Sequence, residues 1–219
     1  MNMRGFFKKI VHPFLKIGLK LYYSKPRKYC YNSICIQVHP KVFPPHLTFS
    51  TKILLDFIQT LDLKSKTFLE LGCGSGIIAL FAAKKGALVT ASDINPIAID
   101  FLNKNAGKNY LSVTSVRSDL FDSIEEKSFD YIIINPPYYP KNPKNTSEKA
   151  WFCGANFEYF EKLFYQLKHE VNFQNTFMIL SEDCAIERIK NIATKNRLTF
   201  ELIICKTVFN EKNYIFSIN

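Results

Sequence analysis

From Thr67 onward the chain alternates short apolar runs with stretches of helical period. Thr67–Leu71, Leu88–Ser92, Val113–Arg117, Tyr131–Ile134 and Phe177–Leu180 read as strands. Gly76–Lys85, Pro96–Ala106, Phe157–His169 and Glu182–Asn196 read as helices, and Pro96 suits a first helical turn. Tyr131–Ile134 is apolar at nearly every position, as expected of a strand buried on both faces. Phe200–Cys205 and Tyr214–Ile218 read as closing strands joined by a turn at Phe209–Lys212. Strand–helix alternation of this kind predicts an α/β fold, a mostly parallel sheet with helices on both faces.

Residues 1–66 follow a different pattern and are read as an N-terminal extension to a catalytic domain at 67–219. Arg4 to Tyr23 sets Phe6, Phe7, Ile10, Val11, Phe14 and Leu15 against Lys8, Lys9, Lys16 and Lys20, with a break at Pro13. The simplest reading is a helical segment covering the catalytic domain with its lysines in water; contact with RNA or an anionic membrane is the alternative. Tyr31–Val38 alternates as one strand, His39–Pro45 carries three prolines and reads as a connector, and Ser50 or Thr51 opens a helix through Ile53, Leu54, Phe57 and Ile58.

Two motifs carry chemistry. Glu70-Leu71-Gly72-Cys73-Gly74-Ser75-Gly76 follows a strand and opens a helix, the context of a nucleotide-binding loop. Asp93 ends the next strand, 21 residues after Gly72, where an acid reaches ribose hydroxyls, and Asp119 follows the third strand. The spacing is G-x-G-x-G, and Ile77 stands where a dinucleotide loop carries its third glycine. A carboxylate at Glu70 also disfavours a pyrophosphate, so an NAD-dependent oxidoreductase is the weaker reading.

The second motif is Asn135-Pro136-Pro137-Tyr138, directly after the Tyr131–Ile134 strand. The Asn135 side-chain oxygen and the Pro136 carbonyl are two acceptors on a backbone stiffened by proline. Two such acceptors suit a planar –NH2 group, whose positive charge they stabilise as it forms, and Tyr138 offers a stacking face. The tetrapeptide is intact, which argues against a silent binding module.

With both motifs placed, residues 40–219 resemble class I S-adenosylmethionine-dependent methyltransferases, in the small-domain branch that includes HemK-type protein glutamine methyltransferases and several RNA methyltransferases. The resemblance implies a Rossmann-like sheet of seven strands, the last antiparallel, and S-adenosylmethionine as cofactor. It implies cofactor contacts from Glu70, Gly72, Cys73, Gly74, Gly76, Asp93, Ile94, Asp119, Leu120 and Asn135, and catalysis by Asn135 to Tyr138. Phe43-Pro44-Pro45 through Ser50-Thr51 and Trp151 to Asn156 are similar to segments of the glutamine branch, in the first of which a threonine, here Thr51, lies near the acceptor; for a nucleic-acid base, Tyr138 or Phe49 would stack on the acceptor. Cys153 and Phe157 stand where that branch usually carries glycines. The implied reaction is methyl transfer to a planar amide or amino nitrogen. Protein glutamine is slightly favoured, and an exocyclic amino group of an RNA or DNA base is the alternative. Some glutamine enzymes of this type work with a small activating subunit.

Composition changes this picture little. The net charge of +10 permits a nucleic-acid partner without requiring one. Cys30, Cys35, Cys73, Cys153, Cys184 and Cys205 form no C-x-x-C pair and have no histidine cluster beside them, so no metal site is expected. They are expected as reduced, buried thiols of a cytoplasmic protein. No apolar stretch is long enough for a membrane span.

Overall fold

The computed structural model describes residues 24–219, so the Arg4–Tyr23 segment lies outside the described residues. Seven strands form one sheet. They are β3 (Thr67–Leu71), β4 (Leu88–Asp93), β5 (Thr114–Arg117), β6 (Ser128–Ile134), β7 (Asn172–Ser181), β8 (Phe200–Val208) and β9 (Glu211–Ile218). Their order is β5-β4-β3-β6-β7-β9-β8; β3 to β7 pair in parallel, and β9 runs antiparallel to both its neighbours. The order reverses direction beside β3, so the crevice at the C-terminal ends of β3 and β6 is the topological switch point of the sheet.

The helices are α1 (Phe49–Thr60), α2 (Ile77–Lys84), α3 (Pro96–Asn109), α4 (Glu158–His169) and α5 (Ile186–Lys195). Alternate residues of the central strands feed two cores. Phe68 of β3 and Ile133 of β6 pack with α1, α2 and α3, while Leu69, Leu71, Ile132 and Ile134 pack with α4 and α5. Period-two exposure to two apolar layers is why these strands read as unbroken apolar runs.

Three sequence expectations, on the first strand, the cysteines and the last helix, are corrected by the structure. Tyr31–Val38 is not one strand. It belongs to a hairpin of β1 (Arg27–Tyr31) and β2 (Ile34–Val38), turning at Asn32, whose φ of 50° is the left-handed conformation that asparagine tolerates. The hairpin sets Cys30 directly opposite Cys35, 4.1 Å apart at Cα, and the two are disulfide-bonded rather than reduced. Cross-strand neighbours on one face lie within reach of each other, which a linear reading of scattered cysteines does not reveal. Cys73, Cys153 and Cys184 are buried free thiols, whereas Cys205 is exposed on the edge strand β8. The β8–β9 hairpin turns at Phe209 and Asn210, both left-handed, inside the expected turn. The predicted Glu182–Asn196 helix begins only at Ile186. Among the described residues no helix is long and apolar enough to cross a membrane, and no His, Cys, Asp or Glu cluster has the makings of a metal site.

Candidate active site

The glycine loop joins β3 to α2 and is pinned from the neighbouring strand. The Gly72 and Cys73 amides both donate to the Ser92 carbonyl, each at 2.8 Å, and the Gly74 amide donates to Asp93 Oδ2 at 2.8 Å. Gly72 has φ +79°, and a side chain there would point into open space, so a ligand can approach the bare backbone. Gly76, at φ +83°, stands immediately before α2, and a methyl group there would overlap Leu102 Cδ1 of α3. Asn105, fully buried on α3, ties this loop to the hairpin. Its Nδ2 donates to the carbonyls of Ser75 and Gln37, and its Oδ1 accepts from the Gln37 amide. All of its amide hydrogens and its oxygen are used, as a buried carboxamide requires.

Two carboxylates face the crevice, Glu70 buried and Asp93 half-buried. Glu70 Oε2 accepts from the Ala79 amide of α2 at 2.7 Å. Asp93 accepts from Gly74 and, through Oδ1, from the Asn95 amide at 2.8 Å. Desolvation raises the Glu70 pKa well above the usual carboxylate range, and the Asp93 charge raises it further; Asp93 is also raised, chiefly by burial. Neither forms an ion pair with a cation among the described residues. Asn95 then caps α3, accepting from the Ile97 amide, while its Nδ2 holds the connector through the Lys41 carbonyl.

Around these groups lies a cavity of about 460 Å³, within the range of small-molecule sites. It collects Glu70, Leu71, Gly72, Cys73, Gly74, Asp93, Ile94, Asp119, Leu120 and Asn135, together with Thr51 and Pro137. Asp119 sits exposed at the rim beside Lys162, 3.6 Å away. The cavity is also lined by Asn142, by Cys153 and Gly154 of the Trp151–Asn156 segment and by Tyr159 of α4, none of which the sequence reading assigned individually to the site.

A second, much smaller slot adjoins the cavity through the shared walls Phe43, Asn135, Pro137 and Ala150. Pro136 and Tyr138 line this slot and not the main cavity, as do Ser50, Tyr139 and Trp151. Asn135 Nδ2 donates to Ser50 Oγ at 3.3 Å, which leaves the amide oxygen as the group available to accept. Ser50 is a further residue that the sequence reading did not assign to the site. Phe49, expected at the acceptor, lines neither space; it packs on Phe209 with ring centroids 5.5 Å apart. On a helix, residues two apart point about 200° away from each other, so Phe49 and Thr51 cannot share a face. His46 lines neither space and lies beside Tyr29.

Residues 33–155 match the family model described as Methyltransferase small domain, more than half of the chain. The chain belongs to the methyltransferase small domain family. A putative protein N5-glutamine methyltransferase of Methanocaldococcus jannaschii is 38% identical over 108 residues, 49% of this chain and 52% of that protein. This small-domain methyltransferase chain spans only about a third to a half of the length of the first curated relatives it matches. Among solved structures, the Thermus thermophilus 16S rRNA N2 G1207 methyltransferase superposes with a TM-score of 0.65 at 17% identity, covering 89% of this chain and 51% of that one. The E. cuniculi Mtq2–Trm112 complex gives 0.63 at 20% identity, covering 82% of this chain and 98% of that one. At these identities the structural likeness establishes the Rossmann-like methyltransferase fold.

Proposed function

We propose that this chain transfers the methyl group of S-adenosylmethionine to a planar amide or amino nitrogen. The observation that carries the reading is Asn135, held by Ser50 with its oxygen left to accept, at the junction of a ligand-sized cavity and an acceptor slot. The cavity suits the cofactor on its own chemistry. Buried Glu70 and half-buried Asp93, both with raised pKa and with no cation paired to them among the described residues, are relieved by a ligand carrying ammonium and sulfonium charge. Glu70, Asp93 and the glycine loop would hold that ligand, with Asp119 and Leu120 toward its adenine end.

Bound there, the cofactor supplies an electrophilic methyl carbon. Asn135 Oδ1 and the Pro136 carbonyl accept the two N–H bonds of the acceptor, fix its nitrogen, and stabilise the charge that develops on it. The two prolines keep both acceptors in place before substrate arrives. Once cationic, the nitrogen releases its proton to water, so no side-chain base is required. The buried free thiols stand apart from this chemistry: burial pushes Cys153 up to about 11 and Cys184 up to about 12, leaving both as neutral thiols. A cytoplasmic location and a small activating subunit are compatible extensions of this reading.

Asn135→Ala is expected to lower methyl transfer by about 10²–10³-fold, as loss of one preorganised charge-stabilising group does, while cofactor affinity by calorimetry stays nearly unchanged. Full activity in that variant would exclude the mechanism.

A further inference from the structure

The two edges of the sheet are built differently. β5 is a four-residue strand, and a short edge is a common protection against pairing with another chain. β8 is nine residues long, and among the described residues only β9 pairs with it. Its outer row of amide and carbonyl groups meets no other strand there. The middle of this edge is apolar where protected edges carry charge: Leu202 is 52% exposed and Ile203 41%. A long apolar edge of this kind is a template for a further strand.

A β-bulge restricts how that strand can lie. Leu202 stands opposite Phe216 and Ile204 opposite Ile215, so Ile203 is the extra residue. Ile215 belongs to the core of α1, α2 and α3, and Phe216 to the core of α4 and α5. Leu202 and Ile204 therefore point to opposite faces although they are only two apart, whereas regular strand positions two apart share a face. Phe200 packing on the α4–α5 core and Ile204 on the α1 side agree with this. Glu201 and Lys206, five residues apart, consequently share the α1 face, opposite Ser217 and Asn213. Lys206 reaches Asp56 of α1 there at 3.2 Å, and exposed Glu201 forms no ion pair among the described residues.

Residues directly opposite in an antiparallel pair lie on one face. When β8 is laid along a second β8, only registers centred on the bulge keep that rule over the whole strand. One of them opposes Glu201 with Ile204. The other opposes Glu201 with Lys206 and Leu202 with Cys205, so charge meets opposite charge on one face and apolar groups meet on the other.

We propose that β8 is a self-association edge, pairing antiparallel with β8 of a second copy of this chain in the Glu201–Lys206 register. The contact is two-fold, so each ion pair occurs twice. β8 runs parallel to β7, and the pairing turns the second sheet end for end. The two crevices then open in opposite directions, and neither copy covers the other's site.

The test is sedimentation velocity of the full chain over a range of concentrations in reductant. The mass should rise from one chain toward two. Glu201→Lys converts two opposite-charge pairs into two like-charge pairs and should weaken the dimer by about tenfold or more. Adding Lys206→Glu to it should restore the dimer, because the pairs re-form with their signs exchanged; Asp56 keeps Lys52 and Tyr31 as partners. Under a mild oxidant, Leu202→Cys should cross-link to Cys205 of the second copy, since directly opposite residues come within disulfide reach. The unaltered chain, with its two Cys205 thiols out of register, should not. Cofactor affinity per chain should be the same with and without Glu201→Lys. A monomer at every concentration would overturn the proposal, and protection of the outer β8 amides from hydrogen exchange in that monomer would assign the cover to this chain itself. A dimer indifferent to Glu201→Lys, or one cross-linked through Cys205 alone, would overturn the pairing.

Discussion

Gly72 and Gly76 have nearly the same left-handed backbone, φ +79° and +83°, yet alanine should act on them in different ways. Forcing an L side chain into that region costs about 1–2 kcal/mol at either position. At Gly76 the added methyl overlaps Leu102 Cδ1 and would lie 3.3 Å from Cγ and 3.4 Å from Cβ. Leu102 is fully buried, so its side chain has nowhere to swing, and overpacking of this kind adds about 1–3 kcal/mol. Gly76→Ala should therefore lose about 2–5 kcal/mol. At Gly72 nothing lies within 4 Å of the new methyl, so only the backbone cost applies. There the methyl projects toward the cavity and should instead weaken cofactor binding. Urea unfolding of both variants, paired with calorimetry of S-adenosylmethionine binding, separates the two effects. Equal stability losses in the two variants would refute the Leu102 packing argument, and normal cofactor affinity in Gly72→Ala would refute the close approach of ligand to backbone.

Two further outcomes follow from the site. Ser50→Ala, which frees the Asn135 amide, should lower kcat with little change in cofactor affinity, and Ser50→Thr should restore most of it; a fall confined to KM for the cofactor would contradict the assigned role. The raised Glu70 and Asp93 pKa values mean that the ligand-free folded state holds protons the unfolded chain gives up. Their stabilising contribution is present at acid pH, below the ordinary carboxylate values, and fades as pH rises through the raised ones. Binding of a cationic cofactor should therefore release protons and tighten as pH rises across that window. Calorimetry in buffers of different ionisation enthalpy checks this, and proton uptake on binding would reverse the sign of the argument.

The sheet was readable from sequence because its central parallel strands are buried on both faces, and two-sided burial leaves continuous apolar runs such as Tyr131–Ile134. The glycine loop and the Asn135 turn were readable because each follows such a run directly. The hairpin was not, since Asn32 and Ser33 interrupt an alternation that otherwise runs straight through. Phe49 lines neither space because α1 turns its ring toward Phe209, on the face opposite Thr51, and the order of residues along the chain does not display that. Asn105 left no signal at all: a mid-helix asparagine reads as a solvent-facing residue until the two backbones it bridges are brought beside it.

That asparagine couples parts of the molecule that are far apart along the chain. Its three hydrogen bonds join the Cys30–Cys35 hairpin to the Ser75 carbonyl of the cofactor loop within one buried side chain. The hairpin cannot detach without stranding those polar groups, so hairpin and loop should open together as a single cooperative unit in native-state hydrogen exchange. Ligand bound in the loop would then slow exchange at Gln37, on a strand that lines no part of the cavity.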